Sequence, residues 1–136
     1  MASYQRSGAM CGSVVKGNRR SLSEIRTKCI YALQTRFDGT RILVDRLWPH
    51  GVRKYEITAW LKEIAPSAAL RSWFGYEPER WEEFRRPYAV ELDRNPAAVA
   101  RLRELTKKGP ATLLFAARDE ENNNAVALAE YLRNHP

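Results

Sequence analysis

Two pairs of charged residues stand directly after apolar runs. Asp45 and Arg46 follow Ile42-Leu43-Val44, and Arg118 and Asp119 follow Leu113-Leu114-Phe115-Ala116-Ala117. Runs without polar alternation predict strands buried on both faces. In open α/β sheets, ligands settle outside the carboxyl ends of the strands. If these two strands are parallel neighbours, all four charged side chains approach one spot. Arg46 and Arg118 would hold an anion there, because a guanidinium matches phosphate and carboxylate geometry. Asp45 and Asp119 could act as a base or orient a substrate hydroxyl. Asn122 and Asn123 precede the last helix, so they add amide donors next to a helix amino end that favours negative charge.

Two further residues join this group. His50, in Trp48-Pro49-His50-Gly51, could carry a proton near neutral pH. Trp48, among polar loop residues, is the indole best placed to contact a ligand. The expected catalytic residues are therefore Asp45, Asp119 and His50. The expected ligand-binding residues are Arg46, Trp48, Arg118, Asn122 and Asn123. A plainer reading stands beside this one. Asp45 with Arg118, or Asp119 with Arg46, would then only tie strand ends together, and either Asp could cap the turn that follows it.

Other chemistries find little support. The two histidines, His50 and His135, make a Ser-His-Asp arrangement improbable. The two cysteines, Cys11 and Cys29, form neither a disulfide framework nor a zinc-type cluster with histidine. Gly39, Gly51, Gly75 and Gly109 stand alone, so neither common glycine-rich phosphate loop is present. No cofactor and no metal is expected.

The elements that must position the candidates follow from punctuation and periodicity. A strand is expected over 29–33, then the turn Phe37-Asp38-Gly39-Thr40, then a strand over 41–48 ended by Pro49. Thr58 caps an expected helix over 59–65, with Trp60, Leu61 and Ile64 as its apolar stripe and Pro66 as its stop. Ser67 caps a short helix through Leu70, Trp73 and Phe74, closed by Gly75. Pro78 opens a third helix whose core stripe is Trp81, Phe84, Tyr88 and Leu92. Pro87 falls inside it and predicts a kink or break, since an interior proline costs about 3 kcal/mol. Asn95 and Pro96 start a helix over 97–107, and Gly109 ends that region. A buried strand over 111–117 follows, then a last helix capped within Asn122-Asn123-Asn124. Strands alternating with helices define an α/β class. The expected architecture is a small three-layer wound sheet, mostly parallel, with helices on both faces.

The chain's 136 residues suit one domain, and an apolar share of 44% supports a real core. Its net charge of +7 is unevenly spread. Residues 1–28 carry six basic side chains against one acidic, whereas the remaining chain carries 17 against 15. Residues 1–25 are therefore read as a basic, flexible arm, and 26–136 as the single domain. The absence of a signal-type apolar segment and of a long apolar span points to the cytoplasm, as do the sparse cysteines.

Four stretches carry a family resemblance. Residues 41–51 are similar to the signature VLVDRLWPRG, and 60–67 to WLKEIAPS. Residues 70–84 resemble LRKWFGHDPERWEEF, and 112–123 resemble TLLYAARDEEHN. In this order and over roughly 26–133, the chain resembles the YeaO-like family (domain of unknown function 488). The resemblance implies a compact α/β domain and names no reaction. Three positions depart from the family pattern: His50 replaces a usual Arg, Asn122 replaces a usual His, and Pro87 replaces a usual helix former.

The leading functional expectation is a small-molecule enzyme or sensor that binds an anionic, phosphate- or nucleotide-like ligand. One alternative is a nucleic-acid-binding module using the basic arm and Trp48, with steep salt dependence. Another is a protein-interaction domain without a ligand. An anionic small molecule is the expected partner, nucleic acid is not favoured, and no membrane association is expected.

Overall fold

A computed structural model describes residues 25–135. The basic-arm reading and Cys11 lie outside the described residues. Four strands form one sheet: β1 (Ile25–Cys29), β2 (Thr40–Leu43), β3 (Ala59–Trp60) and β4 (Ala111–Phe115). Their order is β1-β4-β2-β3, and every neighbouring pair is parallel. Four α-helices accompany them: α1 (Ala68–Phe74), α2 (Trp81–Asp93), α3 (Pro96–Thr106) and α4 (Asn124–Asn134). The class is α/β with an all-parallel sheet.

β4 is central and every one of its residues is buried, as its unbroken apolar run predicts. Its one polar side chain, Thr112, donates its hydroxyl to the Asp38 carbonyl at 2.7 Å, so burial leaves no orphan. Alternate residues face opposite sides of a strand. Ile42, Val44, Ala111, Leu113 and Phe115 join the main core cluster, and so do buried residues of all four α-helices. Leu43 and Leu114 face the other way and pack with Ile30, Ile57 and Trp60. The expected covering of both faces is thus realised unequally. One face carries the α-helices, and the other carries loops with short 3-10 turns at Arg36–Asp38 and Lys54–Glu56.

Several local expectations are corrected. The first strand ends at Cys29 instead of beginning there. Its charged Arg26 and Lys28 are accommodated because the following loop supplies acceptors at Phe37 O, Leu33 O and Asp38. The second strand is shorter than expected, and Trp48 lies in the loop beyond it. The expected helix over 59–65 is the edge strand β3 followed by a 3-10 turn at Lys62–Ile64. Backbone pairing overrides the helical spacing there: Thr58 N donates to Arg41 O and Leu61 N to Leu43 O. The Thr58 hydroxyl caps nothing; it accepts from Arg41 N.

α2 runs unbroken through Pro87. Pro87 is exposed, while Trp81, Phe84, Tyr88 and Leu92 are all buried. Phe84 stacks on Phe74 at 4.5 Å and on Tyr88 at 5.4 Å. Tyr88 and Trp81 also bond the carbonyls of Ile64 and Asn123. This packing on both sides of the proline outweighs its local cost. Asn95 precedes α3 as expected, but its amide donates to Glu63 O and does not cap. Ser67 and Asn123 do cap α1 and α4. Among the described residues, no helix is long and apolar enough to cross a membrane.

Candidate functional site

A cavity of about 320 Å³ opens beyond the carboxyl ends of β2 and β4. β2 and β4 are parallel neighbours, with Leu43 opposite Leu114. Past this last pair the ladder is continued by a side chain: Ala116 N donates to Asp45 Oδ2 at 2.9 Å. Asp45 Oδ1 accepts from Asn124 Nδ2 at 3.2 Å, and the Asp45 carbonyl accepts from Trp60 Nε1 at 2.8 Å. The carboxylate is therefore fixed from β4, while α4 adds a second bond and β3 holds its backbone. Burial pushes its pKa above the ordinary carboxylate value, despite the opposing bonds from Ala116 and Asn124 and the nearby Arg71 cation.

The cations come from different elements. Arg46 follows Asp45, and its Nη2 reaches the carbonyls of Ala65 and Pro66 only at 3.4 and 3.3 Å. These bonds are long, and the buried Arg46 Nε has no partner. Arg71 is carried by α1, whose position is set by the Ser67 cap and by Phe74 in the core. Both arginines line the cavity, and so does Tyr76. Tyr76 has φ 57° and is the sole described non-glycine residue with positive φ. A left-handed conformation costs an ordinary residue about 1 kcal/mol, and such strain gathers at sites of function. Burial and the Asp45 charge push the Tyr76 phenol upward.

Of the residues selected from sequence, the fold brings Asp45, Arg46, Trp48 and His50 into one lining. Trp48 is tied down by donating Nε1 to Val52 O at 2.9 Å, with its ring edge-on to Trp60. His50 is exposed at the rim, where its carbonyl accepts from the Tyr31 hydroxyl. Arg118, Asp119, Asn122 and Asn123 are not in this lining. Arg118 is exposed. Asp119 holds the turn before α4, with Oδ1 accepting from Glu121 N and Asn122 N and Oδ2 from Asn122 Nδ2. Those bonds, led by the Asn122 amide, hold its carboxyl below the usual range. Asn123 caps α4 and donates to Asp119 O. The expected convergence of four charges is thus half realised, because the chain turns after Phe115 and spends Asp119 on the helix start.

Tyr31, Arg71, Tyr76 and Asn124 are the polar lining residues that the sequence does not single out. The Asn122-Asn123-Asn124 run was a signal for the last of these, but only the fold distinguishes its members.

A stability consequence follows from Asp45. A carboxyl whose folded pKa is raised destabilises the fold while it is charged, and that penalty is relieved as pH falls through the folded value. Asp45→Asn is therefore expected to gain on the wild type near neutral pH, with the gain shrinking toward pH 4. Paired urea titrations across that range measure the gap. A gap that stays constant or widens on acidification contradicts the assignment.

Fold and cavity together define a small all-parallel α/β domain with a polar recess at its strand ends. The chain belongs to the family described as the Inactive DUF488-N3 subclade, whose family model matches residues 24–135. It is 41% identical to the uncharacterised protein YeaO of Escherichia coli over 111 residues, covering 80% of this chain and 96% of YeaO. It is 44% identical over 97 residues to uncharacterised proteins of Mycobacterium tuberculosis and Mycobacterium bovis, covering 70% of this chain and 81% of each relative. The YeaO-like resemblance in the sequence is thereby shown. No solved structure gives a significant match.

Proposed function

We propose that this domain binds a small phosphate- or carboxylate-bearing molecule and serves as a sensor, not as an enzyme. The observation that carries the reading is Arg46 and Arg71 in one cavity lining, neither of them in an ion pair with a described residue. Asp45 is the one carboxylate in that lining and already faces Arg71, so two half-buried guanidiniums stand against a single negative charge. An incoming anion supplies both the charge and a bidentate acceptor. The unpartnered Arg46 Nε adds one more donor to this demand.

Two observations support binding without turnover. The family description itself contains the word inactive. The two carboxylates that could divide acid and base roles also stand apart, with Asp45 in the cavity and Asp119 committed to a turn. Trp48 and His50 sit where they could contact the uncharged part of a ligand.

Thermal-shift titration of the full chain with phosphate, sugar phosphates, mononucleotides and small carboxylates tests the proposal. A ligand at about a hundred times its Kd stabilises by about 2.7 kcal/mol, which for a domain of this size is on the order of 10 °C. Arg71→Ala is expected to remove that rise. Melting curves unmoved by every one of these anions would sink the reading.

A further inference from the structure

We infer that the ligand carries a hydroxyl or ammonium donor beside its anionic group, and that Asp45 accepts from it. This rests on the anion-binding reading above and narrows its chemical class. Two guanidiniums alone would suit a bare anion. Here Asp45 shares their lining, and a carboxylate repels a bare anion brought to the same cavity. A donor attached to that anion turns the repulsion into a charge-assisted bond.

The acceptors are placed and held for such a group. Each Asp45 oxygen takes one bond, from Ala116 N and from Asn124 Nδ2. A carboxylate offers about four lone-pair sites, so acceptor capacity remains. Asn124 lies in the same lining, is 3% exposed, and its buried Oδ1 has no partner. Its Nδ2 is engaged with Val44 O and Asp45 Oδ1, which fixes which end of the amide is left over. A buried acceptor without a donor is rare and costly. The lining therefore pairs the unpartnered Arg46 Nε and the Arg71 guanidinium with acceptor capacity at Asp45 and Asn124. A volume of about 320 Å³ sits at the small end of ligand pockets, which span about 300–1,000 Å³. It suits one compact hydroxylated or amino-bearing anion.

Calorimetric titration of the full chain at pH 8 provides the test. Glycerol 3-phosphate is compared with methyl phosphate, and aminomethylphosphonate with methylphosphonate. The first pair reports a hydroxyl donor and the second an ammonium. At least one donor-bearing probe is expected to bind about tenfold more tightly than its bare partner, the effect of one good charge-assisted bond. Asp45→Asn should narrow that ratio and strengthen binding of the bare anion. Equal binding within both pairs overturns the donor inference and leaves the anion reading standing. A ratio unchanged in Asp45→Asn removes Asp45 from the role. Failure of all four probes to bind overturns the donor inference, and the thermal-shift series then decides the anion reading on its own. The wild-type comparison decides the donor question even if the variant does not fold.

Discussion

Asp38→Asn is expected to lower the stability of the domain by about 3 kcal/mol, the lower end of the cost of breaking a buried ion pair. Asp38 is 3% exposed and Arg41 is 4% exposed. Arg41 Nη1 meets Asp38 Oδ2, and Lys28 Nζ meets Asp38 Oδ1 at 2.6 Å. Arg41 stands in β2 on the sheet face away from the α-helices, between the 3-10 turn and the loop before β3. Its Nε is already committed to Glu56 O at 2.7 Å. An isosteric amide at position 38 keeps the shape but strands the Arg41 charge in the interior. The Lys28 side is partly open to water, which places the expected cost at the lower end. The urea midpoint measures the loss. Adding Arg41→Met to Asp38→Asn removes the stranded cation and should recover a large part of it. A single variant as stable as wild type would show that the carboxylate's charge is not needed there.

The same carboxylate sets an acid limit. Burial alone would raise the Asp38 pKa, but bonds from Lys28, the Thr35 amide and Arg41 outweigh it and hold the group below its ordinary value. A depressed folded pKa contributes stability above the unfolded value, and this is lost as pH falls through the folded one. Asp38 and Asp45 therefore act with opposite signs on acidification. The first carboxylate supports the fold, and the second is kept at a cost. A charged group kept where it weakens the fold is a candidate for a functional role, which agrees with the acceptor role proposed for Asp45 beside the two arginines.

Much of this was legible residue by residue. The apolar run of β4 and the aromatic stripe of α2 declare their own burial, and Ser67 with Gly75 brackets α1 by capping chemistry alone. The strand-end rule points to Asp45 and Arg46, and both line the cavity beyond β2 and β4. Residues 59–65 were misread because Trp60, Leu61 and Ile64 fit a helical period equally well. Only pairing with β2 decides that segment, and strand formation depends on such context. Lys28 and Arg26 count toward the basic excess of residues 1–28, and nothing local shows that a loop several residues away supplies their acceptors. Arg71 and Tyr76 carry no local mark either. They reach the cavity because α1 packs beside α2 and Gly75-Tyr76 turns left-handed, two facts about tertiary structure.

Gly39→Ala is expected to be the most damaging single methyl in the domain, at about 4 kcal/mol. Gly39 has φ 66° and ψ −136°, a region that is essentially glycine-only and costs other residues about 1–3 kcal/mol. An added Cβ would stand 2.1 Å from Pro110 O and 2.7 Å from Pro110 C. The obstacle is backbone, so no rotamer change relieves it, and forcing extra atoms into a packed region costs about 1–3 kcal/mol more. Nor can the backbone retreat freely. Pro110 O accepts from Thr40 N at 3.0 Å, and Thr40 opens the β2–β4 register opposite Ala111. Moving Pro110 aside would loosen the central pairing that carries Asp45 to its place. Gly51→Ala is the matched control. Gly51 also has a left-handed φ, 77°, but a Cβ there meets nothing within 4 Å, so only conformational strain of about 1 kcal/mol is expected. Urea titrations of the two variants separate strain from collision. If Gly39→Ala costs no more than Gly51→Ala, the close approach of the 39–40 turn to Pro110 does not constrain this fold.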